Sequence, residues 1–191
     1  STHCISSAAS DVYKRQMKVL IFYHPDADGI TAAAIVRHAL RQRYADVQFE
    51  CIRHGYLCED RRLQELRPDG HTQIYAVDIS FCPETTRHLQ RAFGSDFVWI
   101  DHHISALEAW RDTGWEHPAG IRDTAHSAAW LTWHHLFDAP APLAVTWADK
   151  YDLWQQDAEW ETRTCPWQLV VTCRFSTPER YDLRVFSDER L

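Results

Sequence analysis

Three observations predict an α/β fold for this chain, a mostly parallel sheet with helices on both faces. Apolar runs of strand length alternate with helical patterns from Met17 to about Asp157. The first run is continuously apolar before it turns polar, as a strand buried on both faces should be. Three of the four runs end in His or Asp, and open α/β sheets bind their ligands beyond the carboxyl ends of their strands.

Taken in order, KVLIFYH (18–24) is the first strand. A helix follows from Gly29 to Arg43, because Ile30, Ala33, Ala34, Val36 and Leu40 recur near a period of 3.6. VQFECI (47–52) is the second strand and EDRRLQEL (59–66) a short charged helix. QIYAVDIS (73–80) is the third strand, and Pro83 opens a helix over 84–93. FVWID (97–101) is the fourth strand. A Trp-containing segment (105–115) precedes a helix from Thr124 to about Phe137, and a Pro-Ala-Pro break at 140–142 leads into a last helix from about Leu143. Alternation of this kind is the pattern of βαβ units.

A chain of 191 residues, 45% apolar and 25% charged, forms one domain with a substantial core. With 20 Lys and Arg against 27 Asp and Glu, its formal charge is −7, which argues against a nonspecific nucleic-acid coat. Histidine (12) and tryptophan (9) are over-used, and the histidines favour a metal site. The six cysteines, at 4, 51, 58, 82, 165 and 173, include no CxxC pair and read as reduced thiols of a cytoplasmic protein. No run approaches the ~18 apolar residues of a membrane span, so no membrane partner is expected. Residues 1–16 are polar and aperiodic and precede the only methionine, Met17, so a non-native or disordered leader is expected there, without the features of a signal peptide.

The chemistry gathers at the strand ends. After the first strand stands His24-Pro25-Asp26-Ala27-Asp28-Gly29, the third carries Asp78, and the fourth carries Asp101-His102-His103. Positions 24, 26 and 28 alternate, so in extended chain all three side chains reach one locus. Gly29 then allows a tight turn into a helix whose N-terminus can face phosphate. An ordinary strand-to-helix loop with Asp28 as N-cap would give the same local string. Convergence of imidazoles and carboxylates from separate strands instead describes a mixed N/O site for divalent ions such as Mn²⁺.

HPDADGITAAA (24–34), VDIS (77–80), IDHH (100–103) and WADKYDLW (147–154) resemble, in order, the four motifs of the DHH phosphoesterase superfamily, and DTAHSAAWLTW (123–133) resembles a helix of its oligoribonuclease-like branch. The resemblance covers 17–157 and implies a Rossmann-like metal-binding domain. It implies that His24, Asp26 and Asp28 ligate metal, that Asp78 bridges two ions, that His102 holds the second, and that Asp149 completes the set from a helix. It further implies two Mn²⁺ ions (or Mg²⁺ or Co²⁺) that activate water for in-line attack on phosphorus. His103 would donate to the scissile phosphate and Asp101 would accept a hydrogen bond from a ring N–H or from backbone, in preference to ligating metal; these two are the expected catalytic residues. His126 and Ser127, near a helix N-terminus, are expected at the substrate phosphate.

The expected function is hydrolysis of short oligonucleotides or nucleotide signals by a cytoplasmic enzyme, with a homodimer as one oligomeric option. The alternatives are a manganese pyrophosphatase-like phosphohydrolase and an inactive metal-binding fragment. The pyrophosphatase has wider spacing between its first His and Asp than His24-Pro25-Asp26. Most relatives carry a second, substrate-holding domain, so residues 158–191 are expected to be a linker or the start of a truncated one. Trp99, Trp130 and Trp133 are expected in the core, and Trp147 and Trp154 to pack so as to position Asp149. His54 is expected in solvent.

Overall fold

The computed structural model describes residues 16–55 and 61–186. The expected leader, apart from Gln16, and the first two residues of the helix expected at 59–66 lie outside them. Four parallel strands, β1 (Met17–Tyr23), β2 (Val47–Arg53), β3 (Thr72–Val77) and β4 (Phe97–Ile100), pair in the order β2-β1-β3-β4. The connection direction therefore reverses between β1 and β3, which opens a crevice at the carboxyl ends of those strands.

Alternate side chains feed two cores. Val19, Ile21, Tyr23, Tyr75, Val77, Val98 and Ile100 point to one face, under α1 (Ala27–Arg43), α5 (Ala128–Leu136), α6 (Leu143–Asp152) and α7 (Cys165–Leu169). Leu20, Phe22, Ile74, Ala76, Phe97 and Trp99 point to the other, under α2 (Arg61–Glu65), α3 (Pro83–Phe93) and α4 (Ile104–Arg111). Burial on both faces explains why these strands are apolar runs and not alternating ones. The outer edge of β4 is covered by 119–122, where Trp99 N–H donates to Ala119 O at 2.8 Å and Asp101 N–H to Ile121 O at 3.2 Å. His54 is buried, edge-on to Phe22 and Phe81, contrary to the solvent position expected of it.

The segment after Asp157, where the sequence pattern weakens, packs onto the same domain. Residues 160–175 are helical, α7 being continued on both sides by wide turns such as Ser176 N–H to Val171 O. Trp167, Val171 and Phe175, spaced by four residues, join Tyr181 and Phe186 in the core against α1. Arg37 of α1 donates to Pro178 O, and the Thr31 and Tyr181 hydroxyls lie 3.2 Å apart. Residues 165–186 thus contribute side chains to this core. Among the described residues no helix is long and apolar enough to cross a membrane, and Cys51, Cys82, Cys165 and Cys173 are free thiols.

Candidate metal centre

The loop after β1 starts α1 two residues earlier than the periodicity suggests. Asp26, not Asp28, is the N-cap, its Oδ1 accepting from Gly29 N–H at 2.9 Å. Its other oxygen lies 2.7 Å from His24 Nδ1. Gly29 is required by close approach: a Cβ there would stand 2.2 Å from His24 O and 2.9 Å from Asp78 Oδ2.

β3 stops at Val77 because Asp78 adopts φ 57°, a left-handed conformation that costs a non-glycine residue about 1–3 kcal/mol. That turn aims the carboxylate across the crevice at two histidines. Asp78 Oδ1 lies 3.2 Å from His102 Nε2, and Oδ2 lies 4.0 Å from His24 Nδ1. Asp78 is 1% exposed, yet its Oδ2 has no hydrogen-bond partner. A buried, unpaired carboxylate oxygen facing imidazoles suits a bound cation.

Three overlapping sets of ligand atoms, each within 4.8 Å of one another, occupy the crevice: His24, Asp26 and Asp78; Asp78, His102 and His103; Asp28, His102 and Asp152. Their chemistry, carboxylate oxygen and imidazole nitrogen without thiolate, suits Mn²⁺ or Mg²⁺ better than structural zinc. Burial raises the pKa of Asp28 and Asp78 well above the carboxylate range, and the surrounding carboxylates add to it. Asp152 is raised for the same first reason, burial. Crowded acid of this kind is relieved by divalent cations.

Asp152, which the sequence did not single out, has a carboxylate oxygen in one of these sets. Asp149, expected to close the set from the same helix, instead accepts from Ser127 N–H at 2.6 Å and faces His126 Nδ1 at 2.9 Å. Asp152 stands one turn on, at the end of α6, with Oδ2 3.5 Å from His102 Nδ1. The signal was present in DKYD, since residues three apart share a helix face.

The backbone amides at the N-terminus of α5 serve two carboxylates, Asp28 and Asp149. Ala128 and Ala129 N–H donate to Asp28 at 2.7 and 2.9 Å, and the adjacent Ser127 N–H serves Asp149. Ser127, expected at the substrate phosphate, is fully buried and caps α5 through its hydroxyl. His126, expected beside it, stacks on Trp130 at 3.6 Å between ring centroids. Trp99, Trp133 and Trp147 are buried and Trp130 is partly so, whereas Trp154 is 67% exposed and does not pack as expected.

His103 lies at the start of α4, its Nδ1 2.7 Å from Asp101 Oδ1. That hydrogen bond raises the His103 pKa. Burial pushes Asp101 up, but hydrogen bonds from His103, Ser80 and the His102 backbone hold it below the ordinary range. The pairing thus favours the ionised form of Asp101 and the protonated form of His103.

Comparison with known proteins agrees with this architecture. A single-stranded-DNA-specific exonuclease RecJ of Bacillus subtilis (strain 168) is 26% identical over 92 residues, covering 47% of this chain and 12% of RecJ. A solved structure of an uncharacterised Helicobacter pylori G27 protein superposes with a TM-score of 0.51 at 19% identity, over 73% of this chain and 44% of that one. A manganese-bound exonuclease RecJ superposes at a TM-score of 0.42 and 20% identity, over 69% of this chain and 36% of that one. The chain thus spans less than half the length of each of these relatives. The DHH family N-terminal domain matches residues 18–143, which include the loop after β1, Asp78 and the Asp101-His102-His103 run. With two thirds of its length matched, this chain belongs to the DHH phosphoesterase family.

Proposed function

We propose that the chain is the metal-binding domain of a phosphodiesterase that hydrolyses short oligonucleotides or nucleotide-type phosphodiesters. The observation that carries this reading is the buried Asp78 carboxylate, one oxygen of which is unpaired, shared between ligand sets at the sheet's reversal point. His24, Asp26 and Asp78 would hold one ion, and Asp28, His102 and Asp152 the other; the donor set favours Mn²⁺, with Mg²⁺ or Co²⁺ as substitutes. When bound, such a pair supplies an acidified water and positive charge for phosphoryl oxygens.

The chain's own residues do the rest. Asp101 orients His103 and favours its protonated form, so that a ring N–H can donate to a phosphate oxygen as charge develops. Asp149 ties the start of α5 to α6, which fixes the distance between Asp28 and Asp152. Asp28 is itself held by two backbone amides, so its carboxylate keeps one orientation. The −7 formal charge supports short substrates over long strands, because an acidic surface repels a polyanion. Residues 17–186 form the working unit in this reading, in a cytoplasmic protein.

The test is hydrolysis by the chain in Mn²⁺ of a dinucleotide, a cyclic dinucleotide and pyrophosphate. Release of mononucleotide that is lost in Asp78→Ala is expected. Cleavage of pyrophosphate alone would assign it to the pyrophosphatase class, and tight Mn²⁺ binding without turnover would leave a metal-binding fragment.

A further inference from the structure

We propose that Trp154, supported by Tyr151 and Trp160, is a stacking platform for the nucleobase next to the phosphate held at the metal centre. The inference rests on the phosphodiesterase reading above and names the part of the substrate that the centre itself does not touch. Trp154 is 67% exposed, the most exposed of the large apolar side chains among the described residues. It also has φ 52°, a left-handed conformation unfavourable for a bulky residue. Packing explains neither feature.

The turn that presents it is fixed from both sides. Trp154 N–H donates to Tyr151 O at 3.2 Å and Gln155 N–H to Lys150 O at 2.9 Å. Beyond it, Lys150 Nζ bonds Asp157 at 2.5 Å and lies 3.6 Å from Glu159. Tyr151 and Trp160 lie parallel, 6° apart with centroids at 5.4 Å, and Trp154 leans on both at 6.1 and 5.6 Å. Three aromatic rings thus form one cluster that keeps most of the Trp154 indole in solvent.

Its place gives the occupant. Trp154 follows Asp152 by two residues, so their Cα atoms are at most ~7 Å apart. Asp152 reaches His102 in the metal centre. A planar aromatic surface two residues along the chain from the proposed centre fits a nucleobase, whose π-face stacks on indole whatever the base. The platform also supplies recognition without positive charge, as this acidic chain requires. The substrate class is therefore a base-bearing phosphodiester with little preference among the four bases.

Titration calorimetry of the full chain in Mn²⁺, with adenosine 5′-monophosphate and with ribose 5-phosphate, tests this. The nucleotide is expected to bind about tenfold more tightly than the sugar phosphate. Trp154→Ala should weaken the nucleotide about tenfold and leave the sugar phosphate unchanged, while Trp154→Phe keeps most of the preference. The proposal is overturned if the native chain shows no preference, or if Trp154→Ala weakens both ligands equally or neither. It is also overturned if Trp154→Ala only dissociates a dimer seen by sedimentation, since the rings would then face a second copy. Dinucleotide hydrolysis that needs Asp78 but ignores Trp154 would remove the platform and keep the phosphodiesterase. A base preference without any hydrolysis would do the reverse.

Discussion

Replacing Asp152 with Asn should raise the stability of the metal-free chain and weaken its hold on metal. The Asp152 and Asp28 ligand oxygens lie within 4.8 Å of each other beside His102. Two ionised carboxylates at that distance repel by about 3.5 kcal/mol at an effective dielectric of about 20. Asp152 is 25% exposed at its side chain, and Asp28 escapes part of the repulsion by taking up a proton. About 1–2 kcal/mol then remains, or a melting temperature roughly 2–8 °C higher in EDTA. Mn²⁺ at 100 times its dissociation constant stabilises the native chain by about 2.7 kcal/mol. A hundredfold weaker site would reduce that gain at the same concentration to about 0.4 kcal/mol.

Asp149→Ala should do the opposite in EDTA. It strips the acceptor from the buried Ser127 N–H and costs about 1–3 kcal/mol. Scanning calorimetry of the two variants, with EDTA and with Mn²⁺, reads all four values. The assignment of Asp152 fails if Asp152→Asn melts lower in EDTA and keeps the full Mn²⁺ increment.

Further outcomes follow from the same geometry. Gly29→Ala places a methyl 2.2 Å from His24 O, so it should cost about 2–4 kcal/mol and broaden or abolish Mn²⁺ binding, read by denaturant melts and titration. Asp78 has a folded pKa raised by burial, so the folded chain keeps a proton that the unfolded chain releases, and stability is lost as pH rises through the folded value. In EDTA, Asp78→Asn should therefore be more stable than native at pH 8, with an advantage that shrinks toward pH 5. An advantage independent of pH would contradict the burial argument. His103→Ala should lower kcat on a dinucleotide about 10²–10³-fold and keep the Mn²⁺ melting increment, as loss of a donor to developing charge does. Loss of that increment would make His103 a metal ligand instead of a donor.

Most of the sheet was legible because its strands are buried on both faces and so appear as unbroken apolar runs. The misplacements are local and have causes. Asp78 was read into β3, but its left-handed backbone ends the strand and turns the side chain into the crevice. The helix expected from Thr124 begins at Ala128, because Ser127 caps it and the preceding residues reach toward Asp149. At α6 the two acids of DKYD look equivalent in sequence. Only the tertiary structure separates them, with Ser127 N–H and His126 engaging Asp149 while Asp152 reaches His102. The segment beyond Asp157 was missed although Trp167, Val171 and Phe175 repeat every four residues, because polar residues and Pro166 interrupt the pattern.

The most direct measurement is anomalous diffraction at the manganese edge from crystals of the chain grown with Mn²⁺. The account predicts two peaks in the crevice between β1 and β3, one against His24, Asp26 and Asp78 and one against Asp28, His102 and Asp152. No peak there, or a peak whose ligands include Asp149 and omit Asp152, would contradict it.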